Sequence, residues 1–333
     1  MLTKSVLGML IGFIVSVILG TILIPLLKSI KAGQSINSYL RFSHKSKEGT
    51  PTMGGLIFVI SVVIVMILLY LLDKIHFSYT LVIIIFTLIS YTLIGFIDDL
   101  LIIKRHNNEG LSKSQKFIMQ IIVATIFFFL FMRGANEPLL WIHTLHFKLN
   151  IGFFYGLFIL FVLVASSNAV NLTDGLDGLA AGLSLICFLT FGIISWNTGW
   201  LAGYEDIAVL AFVMVGSLLG FLIFNVNPAK VFMGDTGSLS LGATIGAYAI
   251  MTRHEVLLIL IGIVFVIETL SVIIQVIFFK LTGKRVFAMT PIHHAFEKKG
   301  MREVDIVRLF WLIGLIASLI SLIWSVILWK KLI

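Results

Sequence analysis

The sequence predicts an all-α, polytopic transmembrane protein with about ten membrane-spanning helices and both termini outside. Of its 333 residues, 59% are hydrophobic and only 12% are charged, so most of the surface must face lipid rather than water. Apolar runs of about 20 residues, long enough to cross a bilayer as a helix, recur along the chain. Lysine and arginine are unevenly distributed between the connections. Because we find no soluble segment or internal repeat, we expect residues 1–333 to form a single membrane domain.

The apolar runs are separated by polar or glycine-containing segments, which set the approximate bounds of each span. The first run follows Lys4 and is too long for the apolar part of a signal peptide, so we expect it to remain in the protein. The single cysteine, Cys187, lies inside an apolar run, which excludes an intrachain disulfide and a cysteine-based zinc site. The predicted spans are residues 6–27, 54–72, 79–101, 117–132, 151–167, 178–196, 207–224, 238–251, 256–279 and 306–328.

Basic residues indicate the orientation, because cytoplasmic connections of membrane proteins carry an excess of lysine and arginine. The connections fall into two alternating sets, and most of the basic residues lie in one set. We therefore assign that set to the cytoplasm and both termini to the outside. The net charge of +8 would suggest nucleic acid as a partner of a soluble protein, but here the distribution of the charges matters more than their sum, and we do not expect nucleic acid. The basic residues of the cytoplasmic set are Lys28, Lys31, Arg41, Lys45, Lys47, Lys104, Arg105, Lys113, Lys116, Lys230, Lys280, Lys284, Arg285, Lys298, Lys299 and Arg302.

The cytoplasmic connections also collect aspartates. A lone aspartate at a membrane boundary is often only a solvated helix end or a cap. Asp98 and Asp99, however, lie at the C-terminal end of a predicted span, where the helix dipole and their mutual repulsion disfavour two adjacent carboxylates. We therefore expect a cation beside them, either a metal ion or a lysine, and no capping role at this helix end.

Asp174 and Asp177 lie three residues apart just before another predicted span. One helical turn here would aim both carboxylates in the same direction. Capping of the following helix explains part of this pattern but leaves Asn171 unexplained. Gly175, between these polar residues, indicates a backbone that approaches a ligand closely.

Residues 232–238, Phe-Met-Gly-Asp-Thr-Gly-Ser, predict a helix N-terminus able to bind an anion or a metal ion. The alternative is that Asp235 or Ser238 acts only as a helix N-cap. The most basic connection adds two adjacent histidines, His293 and His294, which suit phosphate or metal contacts, although a solvated loop is the commoner role. Carboxylates combined with lysines, asparagines and histidines indicate Mg²⁺ and a phosphate ester or diphosphate.

These motifs resemble those of the phospho-N-acetylmuramoyl-pentapeptide transferases, a branch of the polyprenyl-phosphate sugar-1-phosphate transferases. The similarity runs through nearly the whole chain. One departure is Ala295, which stands where the family usually has a third histidine. The matching segments are residues 47–55, 95–99, 168–180, 228–239, 268–275 and 291–294.

The resemblance implies transfer of phospho-N-acetylmuramoyl-pentapeptide from UDP-MurNAc-pentapeptide to undecaprenyl phosphate, giving lipid I and UMP in peptidoglycan biosynthesis. It implies Mg²⁺ as the cofactor and a bacterial cell (inner) membrane location, with the active site facing the cytoplasm. The oligomeric state stays open, with a homodimer as one option. By motif position, Asp98, Asp99, Asp235 and His293 are implied to be catalytic, with Asp235 as the metal ligand. The implied substrate-binding residues are Lys47, Thr52, Asn171, Leu172, Asp174, Gly175, Asp177, Asn225, Phe232 (stacked on uracil), Gln275 and His294.

Other functions fit part of the pattern. A transporter also buries carboxylates, but they should lie near the membrane midplane rather than at span ends. A Gly-Asp intramembrane protease needs only two aspartates and leaves the asparagines and histidines unexplained. The closest rival is a transferase that loads another sugar phosphate; the histidine motif followed by Phe296 and Glu297 favours the muramoyl branch. Direct attack by the lipid phosphate and a covalent route through Asp98 both stay open.

Overall fold

The computed structural model describes residues 2–30, 47, 49–105, 110–134, 136–142, 147–196, 198, 201 and 203–328, most of them in helices. Several basic residues of the orientation argument, among them Lys31, Arg41 and Lys45, lie outside these residues. The helices are α1 (Leu2–Ser29), α2 (Gly55–Leu71), α3 (Tyr79–Arg105), α4 (Lys113–Arg133), α5 (Phe154–Thr173), α6 (Leu179–Ser195), α7 (Tyr204–Asn225), α8 (Gly234–Met251), α9 (Leu258–Ile261), α10 (Ile263–Thr282), α11 (Ile292–Lys298) and α12 (Glu303–Leu322), with a π-helical turn at Ile323–Leu328.

Within the described ranges, seven helices are long and apolar enough to cross a membrane: α1, α3, α4, α5, α7, α10 and α12. Two further apolar helices, α2 and α6, are shorter, with 17 residues each. Helix α8 has 18 residues, but its first turn is polar. The chain is therefore an all-α, polytopic membrane protein, as predicted.

Several predicted bounds differ from those in the structure. The span predicted at residues 238–251 begins at Gly234, so Asp235 lies in the first turn of α8 rather than in a connection. The span predicted at residues 256–279 is divided at Gly262, whose backbone (φ −97°, ψ 24°) leaves the helical region between α9 and α10. The histidine segment, predicted as a loop, contains the short helix α11.

An antiparallel hairpin connects α4 and α5, in a segment where no strand is predicted. Its strands are β1 (Leu139–Ile142) and β2 (Phe147–Asn150), with Leu139 opposite Asn150 and Ile142 opposite Phe147. The side chains of β2 are all exposed. Each strand has only four residues: β1 (Leu-Leu-Trp-Ile) is uniformly apolar, and β2 (Phe-Lys-Leu-Asn) alternates over too short a run to predict a strand.

Helix α7 lies at the centre of the bundle, and α1 packs closely against it. A Cβ added at Gly216 would lie 1.9 Å from the carbonyl oxygen of Met9. The Ser16 hydroxyl donates a hydrogen bond to the Ser217 carbonyl at 2.7 Å. Small residues let helix backbones approach and make such interhelical hydrogen bonds in lipid. The centre of the bundle is thus a tightly packed scaffold.

The helix ends that supply the site meet at one end of this scaffold. The C-terminal parts of α3, α5 and α7 meet the N-terminal parts of α4, α8 and α12 there. The contact between α3 and α8 is especially close, because a Cβ added at Gly95 would lie 2.0 Å from the carbonyl oxygen of Asp235. Glycine at position 95 therefore lets the aspartates of α3 reach the start of α8.

Candidate active site

Asp99 holds the first turn of α8 against the end of α3. Its carboxylate accepts hydrogen bonds from the backbone N–H groups of Asp235 at 3.2 Å and Thr236 at 3.0 Å, and from the Thr236 hydroxyl at 2.6 Å. Backbone N–H groups at a helix N-terminus have no intrahelical partner and favour an anion. Asp99 thus caps a neighbouring helix, a contact that the prediction for the end of its own helix did not include.

Asp98 and Asp235 share one lysine. The Lys116 ammonium, near the start of α4, lies 3.1 Å from Asp98 Oδ2 and also pairs with Asp235 Oδ2. The other oxygen of Asp98 accepts a hydrogen bond from the Leu111 N–H at 2.7 Å. The prediction of a cation beside Asp98 is confirmed, and in this structure that cation is a lysine.

The carboxylates of Asp98, Asp99 and Asp235, called the acidic cluster below, could hold a metal ion. One oxygen atom from each residue lies within 4.8 Å of the others. Carboxylate oxygens are hard ligands that suit Mg²⁺, whose ligand distances are about 2.1 Å. The donor set therefore fits magnesium, provided that the Lys116 ammonium moves away from the oxygens it now contacts.

Asn171, at the end of α5, connects that helix to α8. Its amide donates hydrogen bonds to Asp235 Oδ1 at 2.7 Å and to Ser238 Oγ at 2.9 Å. The next residue, Leu172, is exposed. The N-cap of α8 is Met233, so the interpretation of Asp235 or Ser238 as a simple N-cap is wrong. Asp235 instead lies inside the first helical turn, held by an amide on one oxygen and by an ammonium on the other.

Asp174 and Asp177 lie in the turn between α5 and α6. Helix α6 begins only at Leu179, after Gly178, which adopts a left-handed conformation with φ +79°. The prediction that one helical turn aims both aspartates in the same direction is therefore wrong. Burial, followed by the nearby carboxylates of Asp235, Asp99 and Asp177, raises the pKa of Asp174 to about 8. Asp174 is consequently mostly protonated at neutral pH.

Asp177 belongs to a second group of charges. Lys47 Nζ lies 2.7 Å from Asp177 Oδ1 and 2.6 Å from Glu303 Oε1. Asp177 Oδ2 accepts hydrogen bonds from the Asn227 amide at 3.1 Å and from the Ala229 N–H at 3.0 Å. Lys47, Asp177 and Glu303 are called the Lys47 cluster below. One ammonium group again lies between two carboxylates.

Two extended segments, residues 51–54 and residues 231–232, are hydrogen-bonded to each other beside these charged groups. The Phe232 N–H donates to the Pro51 carbonyl at 2.8 Å, and the Gly54 N–H donates to the Phe232 carbonyl at 2.8 Å. The Asn225 amide donates to the Val231 carbonyl at 3.0 Å, which holds the same segment. Thr52 is buried, and its hydroxyl has no hydrogen-bond partner among the described residues. The ring of Phe232 is half-buried.

The two histidines of α11 have different surroundings. His293 and Glu268 are fully buried, with His293 Nδ1 3.1 Å from Glu268 Oε1. The other ring nitrogen of His293 faces Gly175, where an added Cβ would lie 2.4 Å from it. The close backbone approach expected at Gly175 is therefore an approach to His293. His294 Nδ1 instead bonds to Glu297 Oε2 at 2.6 Å.

Gln275 supports the segment between α10 and α11. Its side-chain oxygen accepts hydrogen bonds from the backbone N–H groups of Val286 at 3.1 Å and Phe287 at 2.9 Å. These bonds fix the backbone that leads from α10 towards the histidine helix.

Comparisons with known proteins identify the family of this sequence. The sequence model of the family described as glycosyl transferase family 4 matches residues 80–253, which include the acidic cluster. Phospho-N-acetylmuramoyl-pentapeptide-transferase signature 1 matches residues 47–59. A phospho-N-acetylmuramoyl-pentapeptide-transferase of Oceanobacillus iheyensis is 45% identical over 322 residues, covering 96% of this chain and 97% of that protein. The chain belongs to the phospho-N-acetylmuramoyl-pentapeptide-transferase family.

Two further members of the family have the same extent of similarity. The transferase of Staphylococcus carnosus is 48% identical over 320 residues, covering 94% of this chain and 96% of that protein. The transferase of Geobacillus thermodenitrificans is 45% identical over 317 residues, covering 95% of this chain and 96% of that protein. The similarity therefore includes the histidine segment and Gln275, which lie beyond the range of the glycosyl transferase family 4 match.

The resemblance to this family implies a set of site residues, and the structure places several of them in two groups. Asn171 joins the acidic cluster, and Lys47 joins Asp177. His293 contacts the Gly175 turn. Asn225 and Gln275 hydrogen-bond to the backbone of connecting segments, which they hold in place.

Three charged residues of the site were not among the predicted site residues. Lys116 was assigned only to the cytoplasmic set of basic residues, although its position near the start of α4 made it a candidate partner for Asp98. Glu268 was named only as the first residue of a matching segment, and neither it nor Glu303 was given a role, because a single glutamate within or shortly before an apolar run has no local pattern. Glu268, buried within an apolar helix, carried the stronger signal, because a carboxylate there requires a partner.

Proposed function

We propose that this protein transfers phospho-N-acetylmuramoyl-pentapeptide from UDP-MurNAc-pentapeptide to undecaprenyl phosphate, producing lipid I and UMP for peptidoglycan synthesis. The observation that carries the proposal is the identity of 45–48% to transferases of this name over nearly the full length of both chains. The two charge clusters are consistent with this chemistry, because the reaction joins two anionic substrates.

The acceptor itself supplies the nucleophile. A phosphate monoester has a second pKa near ~6, so the lipid phosphate already carries an attacking oxygen anion at neutral pH. A protein base is then unnecessary. Direct attack is favoured over a covalent route through Asp98, because the lipid phosphate already carries an anionic oxygen and needs no covalent intermediate.

The acidic cluster would hold Mg²⁺, with Asp235 as the main ligand and Asp98 and Asp99 beside it. The metal ion would supply positive charge to the diphosphate as UMP departs. The residues themselves set the geometry: Asp99 fixes the first turn of α8, and Asn171 orients Asp235. Lys116, released from the carboxylates, would offer its ammonium to the phosphate groups.

The Lys47 cluster would bind the nucleotide part of the donor. Lys47 and Asp177 present an ammonium and a carboxylate side by side at 2.7 Å, which suits groups that both donate and accept hydrogen bonds. Thr52, Leu172, Gly175 and Phe232 would line the same region, with the Phe232 ring available for stacking on uracil. His293 and His294 would contact the donor from α11.

A membrane location and a topology of the protein follow from the proposed function. The enzyme would lie in the bacterial cell membrane with about ten spans, the seven longest apolar helices together with α2, α6 and α8. Both termini would face outside and the site would face the cytoplasm, where the nucleotide donor is made. The excess of basic residues in one set of connections supports this orientation.

Release of UMP by the purified protein tests the proposal. With Mg²⁺ and UDP-MurNAc-pentapeptide, UMP should appear only when undecaprenyl phosphate is added, together with a lipid-linked product. UDP-N-acetylglucosamine serves as the matched control donor and should give no product. Absence of UMP under these conditions, or equal transfer from the control donor, would refute the proposed reaction.

A further inference from the structure

Glu303 joins three segments of the site. As the first residue of α12 it accepts hydrogen bonds from Lys47 Nζ at 2.6 Å, from the Asp177 backbone N–H at 2.7 Å and from the Asn227 amide at 3.2 Å. Its side chain is largely buried, with 14% exposed. A carboxylate that takes donors from an ammonium, a backbone and an amide is fixed in one rotamer.

A neighbouring carboxylate shows what an ordinary acidic residue does in this turn. Asp305, two residues later, pairs with Arg302 at 2.6 Å, and the Arg302 side chain is 81% exposed. Acidic residues in a first helical turn interact favourably with the helix dipole. Asp305 lies in this favourable position and pairs with a residue of the same turn. Glu303 instead contacts Lys47, the turn after α5 and the segment after α7. Stabilisation of α12 alone does not require those contacts.

We infer that Glu303 is a positioning residue that sets the arrangement of Lys47 and Asp177 for binding of the nucleotide-sugar donor. The inference rests on the proposed function. With Asp177 as its sole partner, the flexible Lys47 side chain could occupy several rotamers and direct its ammonium away from the donor. A second carboxylate at 2.6 Å confines the ammonium between two acids, and the same carboxylate fixes the Asp177 backbone through its N–H.

The consequence is an effect on donor binding rather than on the chemical step. Glu303 contacts Lys47, Asp177 and Asn227, and none of these contacts involves the acidic cluster. Loss of its charge should leave Lys47 and Asp177 present but less well ordered. Binding of the donor must then order these side chains. The entropy lost when one long side chain is ordered weakens the affinity for the donor by about tenfold.

The test compares Glu303→Gln with Asp305→Asn, a matched change of charge in the same helical turn. Steady-state kinetics with UDP-MurNAc-pentapeptide as the varied substrate should show KM raised about tenfold in Glu303→Gln, with kcat within about threefold of the parent. Asp305→Asn should keep both parameters. Calorimetric titration with UDP, without lipid acceptor, should show the same loss of affinity for Glu303→Gln.

A double-mutant cycle separates positioning from a general structural effect. If Glu303 acts through Lys47, then Glu303→Gln should change KM by less than about threefold when Lys47 is already methionine. If Glu303→Gln does not fold, Glu303→Asp, which keeps the charge but withdraws it by one methylene, should also raise KM.

The inference would be overturned if Glu303→Gln had the same KM as Asp305→Asn. Additive effects of Glu303→Gln and Lys47→Met on KM would also overturn it. Where Glu303→Gln does not fold, an unchanged KM in Glu303→Asp would do the same. Failure of the proposed function would be distinct, because the parent protein would then release no UMP at all.

Discussion

The acidic cluster and the Lys47 cluster both place one lysine between two carboxylates, and in both clusters the acids also accept hydrogen bonds from backbone N–H groups and an asparagine amide. The two clusters differ in the number of their carboxylates. The acidic cluster has a third carboxylate, with Asp174 nearby. The acidic cluster therefore has three carboxylates for one ammonium, and the Lys47 cluster has two.

This difference in the number of carboxylates indicates that two similar ion pairs can have different functions. An excess of carboxylates around one lysine leaves room for a divalent cation, since a cation relieves their repulsion. Two carboxylates on either side of one lysine leave a smaller excess of negative charge and need no further cation. We therefore expect substitutions in the acidic cluster to slow turnover and substitutions in the Lys47 cluster to weaken donor binding.

The largest effect is expected from Asp235→Asn. An amide is a poor substitute for an anionic Mg²⁺ ligand, so transfer should fall by about a thousandfold, the upper range for loss of one group that stabilises developing charge. Initial rates of UMP release over a range of Mg²⁺ concentrations would measure this loss. Asp305→Asn serves as the control for charge removal. Near-normal activity at ordinary Mg²⁺ would remove Asp235 from the metal site.

His293→Ala should have the next largest effect, although His293 belongs to neither cluster. Its imidazole is buried between Glu268 and the Gly175 turn, so we expect a loss of about 2–4 kcal/mol of transition-state stabilisation, or about 30- to 1000-fold in turnover. Thermal unfolding in the same detergent would identify variants that are merely misfolded. A folded His293→Ala with less than tenfold loss would show that the imidazole has no direct role.

Ala295→His restores the third histidine usual in the family and should change activity by less than about tenfold, or ~1.4 kcal/mol. Ala295 is buried, so its side chain faces protein rather than the open part of the site. Turnover of this variant, measured beside the parent in one detergent, checks the expectation. A large gain would mean that the two remaining histidines do not suffice.

The smallest effect concerns the pH dependence of nucleotide binding. The pKa of Asp174 is raised to about 8 by burial and by carboxylates of both clusters. As pH rises through 8, ionisation adds negative charge beside an anionic ligand, and UDP affinity should fall about two- to threefold between pH 7 and pH 9. Titration without added metal measures this dependence, and Asp174→Asn should lack it. A pH dependence unchanged in Asp174→Asn would assign the titration to another group.

Much of this arrangement could be predicted from the sequence. Hydropathy fixed the fold class, and motif residues such as Asp98 and Asp235 identified the end of the bundle that contains the site. Helix bounds at Gly234 and Gly262 could not be predicted, because the polar first turn of α8 and a single glycine leave hydropathy almost unchanged. The capping of α8 by Asp99 depends on a contact between residues 137 positions apart, which local patterns do not contain. The same holds for Glu303 and Lys47.

The division between the two clusters is tested most directly by calorimetric titration of UDP-MurNAc-pentapeptide into Asp98→Asn and Asp177→Asn, with turnover measured on the same preparations. Asp98→Asn should bind the donor as the parent does, yet lose turnover, because its carboxylate acts where the phosphate groups react. Asp177→Asn should bind the donor about tenfold or more weakly, because it removes one of the two acids that hold Lys47. Equal loss of donor binding in both variants would contradict the division.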